Sequence, residues 1–187
     1  IWGLPHLSRD KNRAICSTAI RLPQMEPMFQ NWMTAMKPES SSSGWFEGKC
    51  HVYPTRVYYE DTDAAGIVYY ANYFKFTERA RTEMMRCLGT EHRSLMREAG
   101  IAFAVRNCDA DYLLPARLDD SLVVQTRIRE LRGASMRLMQ TVARRDDVGD
   151  ETILVESAVR LACMDGDLRP ARLPGPVRES LGNLVEE

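Results

Sequence analysis

Between residues 101 and 164 the chain carries four extended segments separated by turn residues, and that run constrains the fold more than any other feature. The segments are Ile101 to Leu114, Ser121 to Leu131, Ser135 to Arg145 and Thr152 to Met164. In the second, Leu122, Val124, Thr126 and Ile128 recur at every other position, and in the third Met136, Leu138, Gln140 and Val142 do the same. A period of two predicts strands with one buried and one wetter face. Gly133 and the stretch Asp146-Asp147-Val148-Gly149-Asp150 supply hairpin turns, so consecutive strands should run antiparallel.

One strand and one long helix are expected ahead of that run. Val52-Tyr53 and Arg56-Val57-Tyr58-Tyr59 favour an extended backbone, and a polar turn, Glu60 to Gly66, interrupts them. Tyr73, Phe76, Thr77, Ala80, Met84 and Leu88 then recur at three- and four-residue intervals, the apolar stripe of an amphipathic helix that Gly89 is placed to end. Its other face carries Lys75, Arg79, Glu83 and Arg86. A short helix is expected around Glu91 to Ala99, and a strap through Pro170, Pro174 and Pro176 with a short helix from Val177 closes the chain. A sheet with one apolar face must bury the helix's stripe, which predicts an α+β class. The order of elements alone leaves several folds open.

A length of 187 residues suits one domain with an appendage, and 44% hydrophobic against 27% charged residues suits a globular core. The appendage is read as residues 1–50, an N-terminal extension ending in the linker-like tract Pro38 to Gly44, with the main domain over 51–180 and a tail over 181–187. Within the extension, Met28-Phe29, Trp32-Met33 and Met36 have helical spacing.

Twenty-five basic residues balance 26 acidic ones, so the charge excess of a nucleic-acid binder is missing. Only Lys11, Lys37, Lys49 and Lys75 among those basic residues are lysines; the rest are arginines, whose planar fork suits phosphate or carboxylate. Five cysteines without a Cys-x-x-Cys pair disfavour both disulfide staples and structural zinc. No apolar run reaches 18 residues and no signal-peptide pattern opens the chain, which makes the cytoplasm the expected compartment. His6, His51 and His92 read as solvated surface residues. Motifs of P-loop, Rossmann, serine-hydrolase and zincin chemistry are missing.

The chemistry-bearing stretch is Tyr58 to Phe74, where three acids sit in a turn between a strand and an aromatic helix start. A carboxylate beside apolar surface gains basicity, and backbone N–H groups at a helix start bind a developing oxyanion, a pairing suited to acyl transfer. The competing reading makes Asp61 and Asp63 ordinary Asx-turn and capping residues.

The segment D-T-D-A-A-G-I-V-Y-Y-A-N-Y-F-K-F-T-E-R-A-R, Asp61 to Arg81, resembles the signature of the YbgC-like and 4-hydroxybenzoyl-CoA thioesterases of the hotdog superfamily. The likeness continues through Ala102 to Arg106, Pro115 to Asp120, Arg132 to Ser135 and Gln140. It implies a hotdog fold, an antiparallel sheet wrapped around one long helix, in a homodimer or tetramer. It also implies an acyl-CoA thioesterase that needs no metal and no cofactor, with coenzyme A as part of the substrate. On this pattern Asp63 is the catalytic carboxylate, as nucleophile or as the base that activates water, and the Tyr70 backbone N–H at the helix opening polarises the thioester carbonyl. Many YbgC-like proteins carry His where this chain has Tyr70.

Gly66 and Tyr69 would shape the substrate pocket, Tyr69 as pocket wall or plain core. Glu78 would face the acyl chain or pair with Arg81 or Arg106, and Arg132 and Ser135 would contact coenzyme A or simply stabilise their turn. The same resemblance allows acyl carrier protein as a partner. The rival reading is an acyl-binding protein of a Tol-Pal-associated envelope assembly with little catalysis; a hotdog dehydratase would want a catalytic His that the motif lacks.

Overall fold

The computed structural model describes residues 42–146 and 148–186. The apolar cluster from Met28 to Met36 lies outside the described residues, as does most of the expected extension. Six strands form one antiparallel sheet: β1 (Trp45–Glu47), β2 (Cys50–Arg56), β3 (Ala102–Tyr112), β4 (Ser121–Leu131), β5 (Ser135–Arg145) and β6 (Glu151–Met164), in the order β1-β2-β4-β5-β6-β3. The four later strands begin and end within two residues of the segments expected from alternation. Two differences lie at the ends of the sequence-based domain. The sheet begins inside the expected extension, with Trp45 paired to Val52, so it starts ahead of the boundary near His51. At the other end Leu181 is fully buried, and Val185 bridges to Ile128, so the expected tail is fastened to β4.

The long helix α1 (Asn72–Cys87) lies against β2, β4 and β5. Its stripe is buried at Tyr73, Phe76, Thr77, Ala80 and Met84, and it meets Val124, Val142, Leu154 and Val155 from the sheet. Gly89 takes a φ of 71° just beyond the helix end, the left-handed conformation in which a Cβ would be strained. The helix α2 (His92–Ser94) runs on into a π turn at Leu95–Ala99, and α3 (Gly175–Gly182) closes one end of the core. Pro176 sits in the first turn of α3, where a missing N–H costs nothing, so the helix opens two residues earlier than expected.

One polar residue crosses the helix–sheet seam. Gln140 is fully buried on β5; its Nε2 donates to Thr77 O and Thr126 Oγ1, both at 3.0 Å, and its Oε1 accepts from Arg81 Nη1 at 2.6 Å. Every polar atom of the amide is thereby used, as a buried site requires.

His51 is not the solvated residue expected from its polar neighbours. It is fully buried, its Nε2 lies 2.9 Å from Ser43 O, and its ring meets Phe46 edge-on at 5.2 Å. The cause is β1, a three-residue strand that covers the side chain and that the Ser- and Gly-rich sequence around it concealed.

Candidate active site

The polar turn after β2 is built from its carboxylates. Tyr59–Asp61 forms a 3-10 turn in which Asp61 Oδ2 accepts from the Tyr58 N–H at 2.9 Å, and Asp61 is 1% exposed. For Asp61, therefore, the capping reading holds. Asp63 closes the next turn with its backbone: its N–H donates to Ile67 O at 2.9 Å and its carbonyl accepts from the Gly66 N–H at 3.0 Å. Gly66 makes this possible at a φ of 72°. The Asp63 side chain divides its work. Oδ1 accepts from the Ala65 N–H at 2.8 Å, an Asx turn, while Oδ2 has no hydrogen-bond partner among the described residues and the residue is exposed.

A single carbonyl ties this turn to the helix. Asp61 O accepts from the Tyr69 N–H and from Asn72 Nδ2, each at 2.9 Å, and Asn72 is buried. The Asn72 N–H in turn donates to Tyr69 O at 2.8 Å. The helix opens at Asn72 with Ala71 as its cap, so Tyr70 stands two residues before the helix rather than at its opening. Its N–H has no acceptor among the described residues, and its carbonyl accepts from Tyr112 Oη at 3.3 Å. No acidic side chain occupies the first turn of α1, which leaves its positive end uncompensated.

Asp63, Tyr69 and Tyr70 line one open cleft of about 450 Å³, walled by Tyr112, Leu113 and Pro115 where β3 ends. Tyr70 meets Tyr69 at 4.6 Å and Tyr112 at 6.3 Å between ring centroids, and Tyr112 also meets Tyr73. Burial pushes the Tyr73 and Tyr112 phenols above their ordinary range, so both are neutral near pH 7. The result is an apolar, aromatic cleft with a carboxyl group and an unbonded backbone donor of Tyr70. Such a site can hold an acyl group and attack its carbonyl. The β3 end, Tyr112 to Pro115, was not among the sequence-based candidates. The signal present was the break in alternation at Leu113-Leu114-Pro115.

The remaining candidates lie elsewhere within the chain. Glu78 is exposed, accepts from Thr82 Oγ1 at 2.8 Å, and lines a separate hollow with Arg81, Phe103 and Val105; no ion pair joins it to Arg81 or Arg106 among the described residues. The Arg132 N–H donates to Ser135 O at 2.7 Å, and its Nε donates to Glu130 Oε1 at 2.6 Å, so both residues hold contacts within their hairpin. Among the described residues no cluster of His, Cys, Asp and Glu is arranged to hold a metal ion, and no helix is long and apolar enough to cross a membrane.

Residues 65–150 match the model of the thioesterase superfamily. Over 133 residues the chain is 40% identical to the acyl-CoA thioesterase YbgC of Haemophilus influenzae, covering 71% of this chain and 94% of that protein. It is 45% identical over 123 residues to the acyl-CoA thioester hydrolase YbgC of Escherichia coli O6:H1, covering 65% and 88% of the two chains. The three-dimensional structure of 4-hydroxybenzoyl CoA thioesterase from Pseudomonas sp. strain CBS-3 superposes with a TM-score of 0.65 at 26% identity, covering 70% of this chain and 98% of that one.

Proposed function

The chain belongs to the thioesterase superfamily, and from that premise we propose that it hydrolyses an acyl-CoA thioester to the free acid and coenzyme A. The hotdog arrangement, one antiparallel sheet against one long helix, is the fold of its structural relatives. In our reading the thioester carbonyl lies in the aromatic cleft with its oxygen toward the Tyr70 N–H. Asp63 Oδ2 then acts in one of two ways. It attacks the carbonyl, expelling the thiolate and leaving an anhydride that water cleaves, or it takes a proton from a water that attacks instead. Gly66 and Tyr69 belong to the substrate-binding surface.

The observation that carries this reading is the division of labour at Asp63. One oxygen is fixed in the turn and the other is unbonded in an apolar cleft, beside a backbone donor with no other acceptor.

A homo-oligomer, dimer or tetramer, is part of the proposal. It is supported by β3, an 11-residue strand at the sheet edge, and by exposed Tyr112, Leu113 and Leu114 at its end. Glu78, in its hollow beside that edge, is proposed to meet the acyl tail only across a subunit boundary. The cytoplasm is the proposed compartment, supported by Cys50, Cys87, Cys108 and Cys163, which remain thiols. Acyl carrier protein is a candidate alternative carrier of the acyl group.

Free-thiol release by the full chain and by Asp63→Asn, across short-chain, long-chain and aromatic acyl-CoAs, tests the reading. The variant is expected to fold and to lose about 10²-fold to 10⁴-fold in kcat/KM. Full activity in Asp63→Asn would remove Asp63 from the mechanism. Tight acyl-CoA binding without turnover in either protein would favour the envelope-associated binding protein.

A further inference from the structure

We propose that the outer face of the sheet carries a binding site for a diphosphate group, formed by Arg106, Arg129, Arg137 and Arg160. These four line a hollow of about 550 Å³ on the face turned away from α1, together with Asn107 and Asp109. The register explains how they meet. Glu130, Arg137, Arg160 and Asn107 stand in one row across β4, β5, β6 and β3. Arg137 and Arg160 are therefore direct cross-strand partners, and like charges placed so destabilise a sheet.

The two ends of the row are unusual in the same way. β4 shifts register between Ile128 and Glu130, and β3 shifts between Val105 and Asn107. The unpaired residue in each bulge is an arginine, Arg129 in one and Arg106 in the other. A bulge re-aims the side chain it carries, and here both supply a guanidinium to the same hollow.

The protein neutralises this charge only in part. Glu130 lies 3.3 Å from Arg137 but is shared with Arg132, and Glu186 lies 2.8 Å from Arg129 but is shared with Arg127. The Asp109 carboxylate lines the hollow and accepts from Asn107 at 2.6 Å. Arg106 and Arg160 have no acidic partner among the described residues. Arginines around a hollow, two of them without an acidic partner, form the arrangement that binds phosphate oxygens bidentately.

Size favours two linked phosphates over one. The outer strands of the row stand about 14 Å apart, and long Arg side chains reaching inward from both ends leave a gap of diphosphate length. That chemistry has two sources, the diphosphate of coenzyme A itself or a separate diphosphate ester. The first rests on the thioesterase reading. Arg106 precedes Tyr112 of the cleft by six residues, about 20 Å of strand, comparable with an extended pantetheine arm.

The test is calorimetric titration of the full chain with inorganic diphosphate, beside Arg160→Gln, Arg106→Gln and Arg160→Lys. Each Gln variant is expected to weaken binding about tenfold or more, with Lys between, because it keeps the charge and loses the fork. Melting midpoints are expected not to fall, since the Gln changes relieve like-charge crowding. No binding to the parent chain, or equal binding to the Arg106→Gln/Arg160→Gln double variant, would overturn the site. Kinetics then identify the source. A rise of about tenfold in KM for acyl-CoA, with acyl-pantetheine unchanged, identifies coenzyme A. Unchanged KM for both, with diphosphate binding lost, identifies a separate diphosphate ester. Failure of the parent chain to hydrolyse any acyl-CoA would count against the thioesterase reading alone, because diphosphate binding is measured without turnover.

Discussion

Asn72 holds the two halves of the candidate site in register. Through Nδ2 it binds the same Asp61 carbonyl that anchors Tyr69, so the turn bearing Asp63 and the entrance to α1 bearing Tyr70 cannot shift independently. Asn72→Ala leaves that buried carbonyl with one donor fewer and should cost about 1–3 kcal/mol of stability, read as a lower urea midpoint. It should also lower kcat more than it raises KM, because the displaced groups act on the carbonyl carbon. A variant that loses stability but keeps kcat would make Asn72 structural only. At this scale the sequence was informative about types and poor about partners. The turn with Asp63 and Gly66 was legible because a tight turn needs those residues. The burial of His51, the division between the two Asp63 oxygens and the position of Tyr70 ahead of the helix depend on contacts that no local spacing records.

Elements were legible where period and length agree. Strands β3 to β6 and the stripe of α1 follow from alternation and from three- and four-residue recurrence. β1 was not, because three residues between glycines carry no period. Nor were the bulges in β3 and β4, since an extra residue in a strand shows only against its partner. The helix–sheet seam depends on Gln140, whose amide joins α1, β4 and β5. Gln140→Leu preserves volume but strips half-buried Arg81 of its acceptor and leaves Thr77 O and Thr126 Oγ1 short of a donor. A loss of at least about 1–3 kcal/mol is expected in chemical denaturation, and Arg81→Leu added to it should recover part of that loss, since a half-buried charge without its acceptor is then removed. Full additivity of the two changes would show that the seam is not a network.

Two imidazoles, buried His51 and the more exposed His92, set how the whole molecule responds to acid. Burial lowers the proton affinity of His51, against the opposing pull of the Ser43 carbonyl and Glu83, and partial desolvation lowers that of His92. The unfolded chain therefore takes up these protons first, starting near the ordinary histidine value of about 6.5. Stability should be fully present above that pH and fall as the pH drops below it toward the depressed folded values. Denaturation midpoints measured from pH 7.5 to 5 should decline, and His51→Gln, which keeps a donor toward Ser43, should flatten the decline to the share left by His92. An unchanged slope would mean that His51 does not titrate on unfolding.

The strand order also sets a sequence of assembly. The central meander β4-β5-β6 closes through two short hairpins, whereas β2 and β3 reach their partners β4 and β6 only after long stretches of chain have been gathered in. The cleft lies on those two outer additions, with the Asp63 turn leaving β2 and the Tyr112 wall ending β3. The molecule thus completes its reactive surface last, and a local opening that frees β3 dissolves the cleft while the meander beneath it stays folded.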